Sequence, residues 1–150
     1  MNVLVLHGPN LNLLGEREPD VYGTLTLAEI DRRLASHAQT LGMAVRFERS
    51  NAEGVLIDLI QGSKGWADAI VINPGGYSHT SVAIRDAIVA VAIPTIEVHL
   101  SNPNAREWFR QTDLVAGACR GVIAGFGWRS YVMALDALAA GDGDADADER

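Results

Sequence analysis

Short apolar runs alternate along the chain with longer stretches whose apolar positions recur every three or four residues. The runs at residues 2–7 (NVLVLH), 44–48 (AVRFE), 69–73 (AIVIN), 95–99 (TIEVH) and 121–125 (GVIAG) predict five strands. Several are apolar without interruption, the pattern of strands covered on both faces. Between them, residues 25–41, 52–66, 80–91 and 129–138 predict helices, with a short helical piece at 105–109. In the first helix Leu27, Ile30, Leu34, Ala38 and Leu41 fall on one face. Thr26, followed three residues later by Glu29, is a capping-box pattern, and Gly42 is placed to stop the helix.

Strict strand–helix alternation predicts a doubly wound α/β domain: a parallel sheet with right-handed crossovers and helices on both faces. For this length the expected topology is flavodoxin-like, five strands in the order 2-1-3-4-5. Residues 1–140 form the expected single domain. Residues 141–150 (GDGDADADER) hold no apolar residue larger than alanine and are expected to form a disordered acidic tail. The stretch 8–25 carries two prolines and three glycines and is far longer than the usual ~2–6 residues of a strand-to-helix loop, so it is expected to be a lid or binding loop.

Net charge is −7, with twelve basic and nineteen acidic residues, which argues against a nucleic-acid binder. The tail accounts for −4 of it, leaving a body of net −3. That balance does not argue against an anionic substrate. No apolar run approaches the ~18 residues of a membrane span, and the N-terminus lacks the features of a signal peptide. The single cysteine, Cys119, cannot form an internal disulfide, so a reducing, cytoplasmic setting is expected.

In open α/β sheets ligands bind at the carboxyl ends of the strands. Those ends carry His7-Gly8-Pro9-Asn10, Ser50-Asn51, Asn73-Pro74-Gly75-Gly76, His99-Leu100-Ser101-Asn102 and Gly125-Phe126-Gly127. Strand spacing puts Glu97 and His99 on one face, where a carboxylate is expected to raise the imidazole pKa and fix its tautomer, as suits a general acid. Leu100 and Ser101 offer backbone amides as an anion cradle. The two glycines before the 80–91 helix suggest a second anion site at its N-terminus. Arg17 and Tyr22 share the lid, and a guanidinium is the simplest means of lowering a tyrosine pKa. Tyr77 is open to either a structural or a chemical role, whereas Tyr131 is expected in the core. The four histidines and Cys119 show no metal-ligand spacing. Lys64, the sole lysine, is a poor Schiff-base candidate, and no nucleophile elbow is present. A receiver module would need acidic residues after the first strand, and an FMN carrier a Ser/Thr-rich loop there. Neither is found.

The longest motif is Gly8-Pro-Asn-Leu-Asn-Leu-Leu-Gly-Glu-Arg-Glu-Pro-Asp-Val-Tyr-Gly23. With Asn73-Pro-Gly-Gly-Tyr-Ser-His-Thr-Ser-Val-Ala-Ile-Arg-Asp86, Glu97-Val-His-Leu-Ser-Asn102, Arg106-Glu-Trp-Phe-Arg110 and Gly125-Phe-Gly-Trp-Arg-Ser-Tyr131, it resembles the type II 3-dehydroquinate dehydratases. Ala52 and Gly76 depart mildly from the family pattern. The resemblance implies anti elimination of water from 3-dehydroquinate through an enolate, giving 3-dehydroshikimate in the shikimate pathway, without metal or cofactor. It further implies Tyr22 as base, Arg17 as the group that lowers its pKa, and Asn10 holding the water that stabilises the enolate. His99, oriented by Glu97, is the implied acid. Asn73, His79 and Arg110 would bind substrate hydroxyls, and the Leu100 and Ser101 amides its carboxylate. Asp86 would reach a neighbouring subunit in a dodecamer of trimers. A homologue retuned to another cyclic hydroxy-ketone acid is the enzymatic alternative.

Overall fold

The computed structural model describes residues 1–16, 18–22 and 24–141. Arg17, Gly23, the Tyr22 side chain and the tail from residue 142 onward lie outside the described residues. The elements run β1 (Asn2–His7), α1 (Pro19–Tyr22), α2 (Leu27–Thr40), β2 (Ala44–Arg49), α3 (Glu53–Gly62), β3 (Ala69–Asn73), α4 (Val82–Val91), β4 (Thr95–His99), β5 (Gly121–Ala124) and α5 (Arg129–Ala140). All strand pairs are parallel, in the order β2-β1-β3-β4-β5. Class and topology are those the alternation predicts.

The core is two apolar layers separated by the sheet. Val3 and Val5 of β1 and Val71 of β3 face Ile30 and Leu34 of α2 and Leu135 of α5. The intervening Leu4, Leu6, Ile70 and Ile72 face Leu56 and Ile60 of α3 and Ile84 and Ile88 of α4. The uninterrupted apolar strands are thus alternating strands with an apolar partner on each side. β2, at the sheet edge, keeps only the alternation.

Helix ends follow local chemistry. Thr26 Oγ1 accepts from Glu29 N–H at 3.2 Å, and Gly42 takes φ 70° just beyond α2. Ser81 Oγ accepts from Ile84 N–H at 2.9 Å, so α4 starts at Val82. Gly75–His79 forms a 3-10 turn before it. The expected link from glycine loop to helix N-terminus is therefore not direct. The predicted 52–66 helix stops at Gly62, where the Ser63 hydroxyl donates back to the Ile60 carbonyl and Gly65 turns at φ 91°. The 105–109 piece is two 3-10 turns, Pro103–Ala105 and Trp108–Gln111. Among the described residues no helix is long and apolar enough to cross a membrane.

Register aligns the chemistry. His7 of β1 lies opposite Asn73 of β3, and Glu97 of β4 lies opposite Ile72. The carboxyl ends of β1, β3 and β4 therefore share one rim. Gly8 lets the first loop leave across that rim: its N–H donates to the Asn73 carbonyl at 2.8 Å, and a Cβ there would meet Asn73 and Pro74 backbone at 2.8 Å.

Candidate active site

A cleft of about 130 Å³ opens at this rim. Asn10 enters from the β1 loop, Asn73 and His79 from the β3 side, His99, Leu100 and Ser101 from the end of β4, and Arg110 from the turn beyond. A shallower cavity of about 420 Å³ adjoins it, between Asp20 and Val21 of α1 and the Leu100–Asn102 segment. Seven residues nominated by the sequence thus converge. Arg106, to which no role was given, lines both cavities, and its Nη1 donates to Ser101 Oγ at 3.3 Å. Its place in the Arg106–Arg110 run was the available signal. Asp86 does not reach the cleft within one chain and stays exposed on α4.

Each side chain is held by its element. Asn10 takes a left-handed conformation, φ 68°, which asparagine tolerates, and its N–H donates to Asn51 Oδ1 at 2.9 Å. Asn73 is buried, and its Oδ1 accepts from Gly75 N–H at 3.1 Å. His79 donates from Nδ1 to the Thr112 carbonyl at 2.8 Å. Arg110 donates from Nε to Glu107 Oε2 at 2.5 Å, which holds the exposed Glu107 carboxyl below its ordinary range. Tyr77 is fixed by donating its hydroxyl to the Asn51 carbonyl at 2.7 Å.

Tyr131 is fully buried, as expected, and belongs to a polar line beneath the rim. Its hydroxyl lies 2.8 Å from His7 Nδ1, His7 Nε2 lies 2.7 Å from Asp31 Oδ1, and the nearby Asn73 side chain partly opposes the rise in the Tyr131 pKa that burial causes. No periodicity or motif points to this line, because its members sit on four separate elements.

Glu97 and His99 meet as strand spacing predicts: Oε2 and Nε2 are 2.5 Å apart. The electrostatic expectation is corrected. Burial outweighs the attraction between the partners, pushing Glu97 up to about 10 and His99 down to about 4. The nearby Asp113 carboxyl adds to the rise at Glu97 and partly opposes the fall at His99. The ligand atoms of Glu97, His99 and Asp113 lie within 4.8 Å of one another, a grouping that sequence spacing did not reveal. A cation there would have to displace the Glu97–His99 hydrogen bond.

The family model described as dehydroquinase class II matches residues 1–139. A 3-dehydroquinate dehydratase from Stenotrophomonas maltophilia is 56% identical over 139 residues, covering 92% of this chain and 93% of that one. One from Dinoroseobacter shibae is 51% identical over 138 residues, covering 92% of each. The crystal structure of the type II dehydroquinase from Butyrivibrio crossotus superposes with a TM-score of 0.91 at 44% identity, covering 92% of this chain and 97% of that one. The chain belongs to the class II dehydroquinase family.

Proposed function

We propose that the chain removes water from 3-dehydroquinate by anti elimination through an enolate, giving 3-dehydroshikimate. Family membership makes it a dehydratase, a hydro-lyase of the shikimate pathway. The observation that carries the mechanism is the hydrogen bond from buried Glu97 to His99, which lines a cleft together with Asn10, Asn73, His79 and Arg110. Proton abstraction beside a ketone needs a base and an oxyanion stabiliser, and departing hydroxide needs an acid.

His99 is the acid. A buried imidazole binds its proton weakly, so once protonated it gives that proton readily to a poor leaving group. Asn10 holds the water that stabilises the enolate oxygen. Asn73, His79 and Arg110 take the substrate hydroxyls, and the Leu100 and Ser101 amides its carboxylate. Tyr22, as tyrosinate, is the base, with Arg17 lowering its pKa; these two assignments rest on the family resemblance. The reading calls for no metal, cofactor or lysine adduct.

An ultraviolet assay for the conjugated enone, with and without chelator, tests this directly. Turnover is expected in both, and a folded protein without it sinks the reading. Tyr22→Phe and Arg17→Ala are each expected to cut kcat by roughly 10²-fold or more without loss of fold. Full activity in either variant removes that residue from the mechanism. Borohydride with substrate should leave activity intact, whereas inactivation would implicate Lys64.

We further propose a dodecamer built from trimers in which Asp86 reaches a neighbouring site, and a cytoplasmic location, which the free thiol of Cys119 fits. Exposed Trp108, Phe126, Val82 and Val89 supply apolar surface for such assembly. A light-scattering mass near the monomer would contradict it.

A further inference from the structure

Glu97 is fully buried, with Oε2 against His99, and no donor among the described residues reaches its Oε1. A buried carboxylate with an unpaired oxygen is costly. Its polar neighbour is a second acid: a carboxylate oxygen of Asp113 lies within 4.8 Å of one of Glu97, close enough for the two carboxyls to interact. Two carboxylates repel, but a carboxylic acid and a carboxylate join through one proton.

The surroundings decide which of the two keeps the charge. Asp113 Oδ1 accepts from the Val115 and Ala116 N–H groups, each at 3.0 Å, and its side chain is solvent-exposed. Both conditions favour an anion there. Glu97 is fully buried, and among the described residues no amide donates to its Oε1. The other titratable and charged groups nearby do not compensate it. Arg85 of α4 donates from Nη1 to the Leu114 carbonyl. His79 donates to Thr112, and burial keeps the Cys119 thiol protonated, up to about 12.

We propose that Asp113 is a positioning residue for the elimination: Asp113 and Glu97 hold one proton between them, so that Glu97 faces His99 as a neutral carboxylic acid and the negative charge sits on Asp113. Glu97 Oε1–H donates to Asp113, and Glu97 Oε2 accepts from His99 Nε2–H. The proton His99 gives up is then directed to its other nitrogen. When the substrate C–O bond breaks with its electron pair on oxygen, an N–H bond of imidazolium breaks and the O–H bond of water forms. Glu97 and Asp113 keep their shared proton throughout. With the charge one residue removed, protonated His99 stays a stronger acid than it would be against a Glu97 anion. The inference rests on His99 as the acid, but its first readout does not depend on turnover.

Infrared spectroscopy of the intact protein is that readout. At neutral pH the C=O stretch of a protonated carboxyl is expected, and it should vanish in Glu97→Gln. In Asp113→Asn, which keeps the oxygen that accepts the two amides, the pH at which the band titrates is expected to fall by about one unit, a roughly tenfold loss of proton affinity. No band in the unaltered protein, a band surviving Glu97→Gln, or an unmoved midpoint in Asp113→Asn overturns the shared proton. Kinetics then tests positioning. In Asp113→Asn, Glu97 stays neutral near pH 7, but its proton loses the anionic acceptor, and the Asp113 charge that raises the His99 pKa is gone. Therefore kcat should fall roughly tenfold and its acidic limb move to lower pH, with KM little changed and Asp113→Glu restoring the profile. Unaltered kinetics across pH would overturn the positioning role. Stoichiometric zinc binding to chelator-treated protein that is lost in Asp113→Asn would instead make the three side chains a cation site.

Discussion

At the scale of the residue, one hydrogen bond in the interior joins Glu97 to His99. Alternation along β4 sets Glu97 and His99 side by side, which spacing alone predicts. Their protonation depends on burial, and burial depends on helices and loops remote in the chain. Asp113, sixteen positions beyond Glu97 in an irregular loop, has no periodic relation to either. The shift at Glu97 makes a sign prediction. Its pKa is raised from 4.5 to about 10, so the folded chain keeps a proton that the unfolded chain releases across that window. Stability must therefore fall as pH rises through it. His99, lowered from 6.5 to about 4, makes the folded chain the weaker proton binder, so stability also falls as pH drops through that window. Glu97→Gln should flatten the fall of Tm between pH 4.5 and about 10 and leave the rise through the His99 window unopposed, hence steeper. An unchanged alkaline slope would mean that Glu97 ionises normally in the fold.

At the scale of the element, strands and the larger helices were legible because each has its own period. The ends of α3 and the 103–111 region were not. There side-chain hydroxyls and single glycines decide where the backbone turns, and such contacts carry no period. Two caps offer direct checks. Ser81→Ala removes the Oγ that accepts from Ile84 N–H and should cost ~1 kcal/mol in denaturant unfolding. Gly8→Ala puts a Cβ 2.8 Å from Asn73 and Pro74 backbone, so β1 and β3 must part at the rim. Its expected signature is a rise in KM larger than that of a surface Gly→Ala, together with a lowered Tm. A variant with wild-type KM would show that the rim absorbs the methyl without moving Asn73.

At the scale of the whole molecule, the sheet divides the interior into two apolar layers that do not touch. Leu34 belongs to the α2 and α5 layer and Leu56 to the α3 and α4 layer, and both are fully buried. Leu34→Ala and Leu56→Ala should each cost ~2–5 kcal/mol. Their double variant should lose the sum to within about 0.5 kcal/mol, because no side chain bridges the layers there. Strong non-additivity in unfolding free energy would reveal coupling through the strands.

The polar line beneath the rim gives the cleft a handedness of another sort. Asn73 Oδ1 already accepts from the Gly75 N–H, which leaves its amide NH2 group as the readier partner for other groups. That amide lies beside the Tyr131 oxygen, and with Asp31 accepting from His7 Nε2–H the neutral ring leaves Nδ1 to accept the Tyr131 proton. Every donor along the line thus faces the same way, and Asn73 lines the cleft at its end. Asn73 therefore favours lone pairs on a ligand. A ligand bearing an ether, keto or hydroxyl oxygen at that point finds a donor, whereas an ammonium group there competes with the Gly75 N–H for Oδ1.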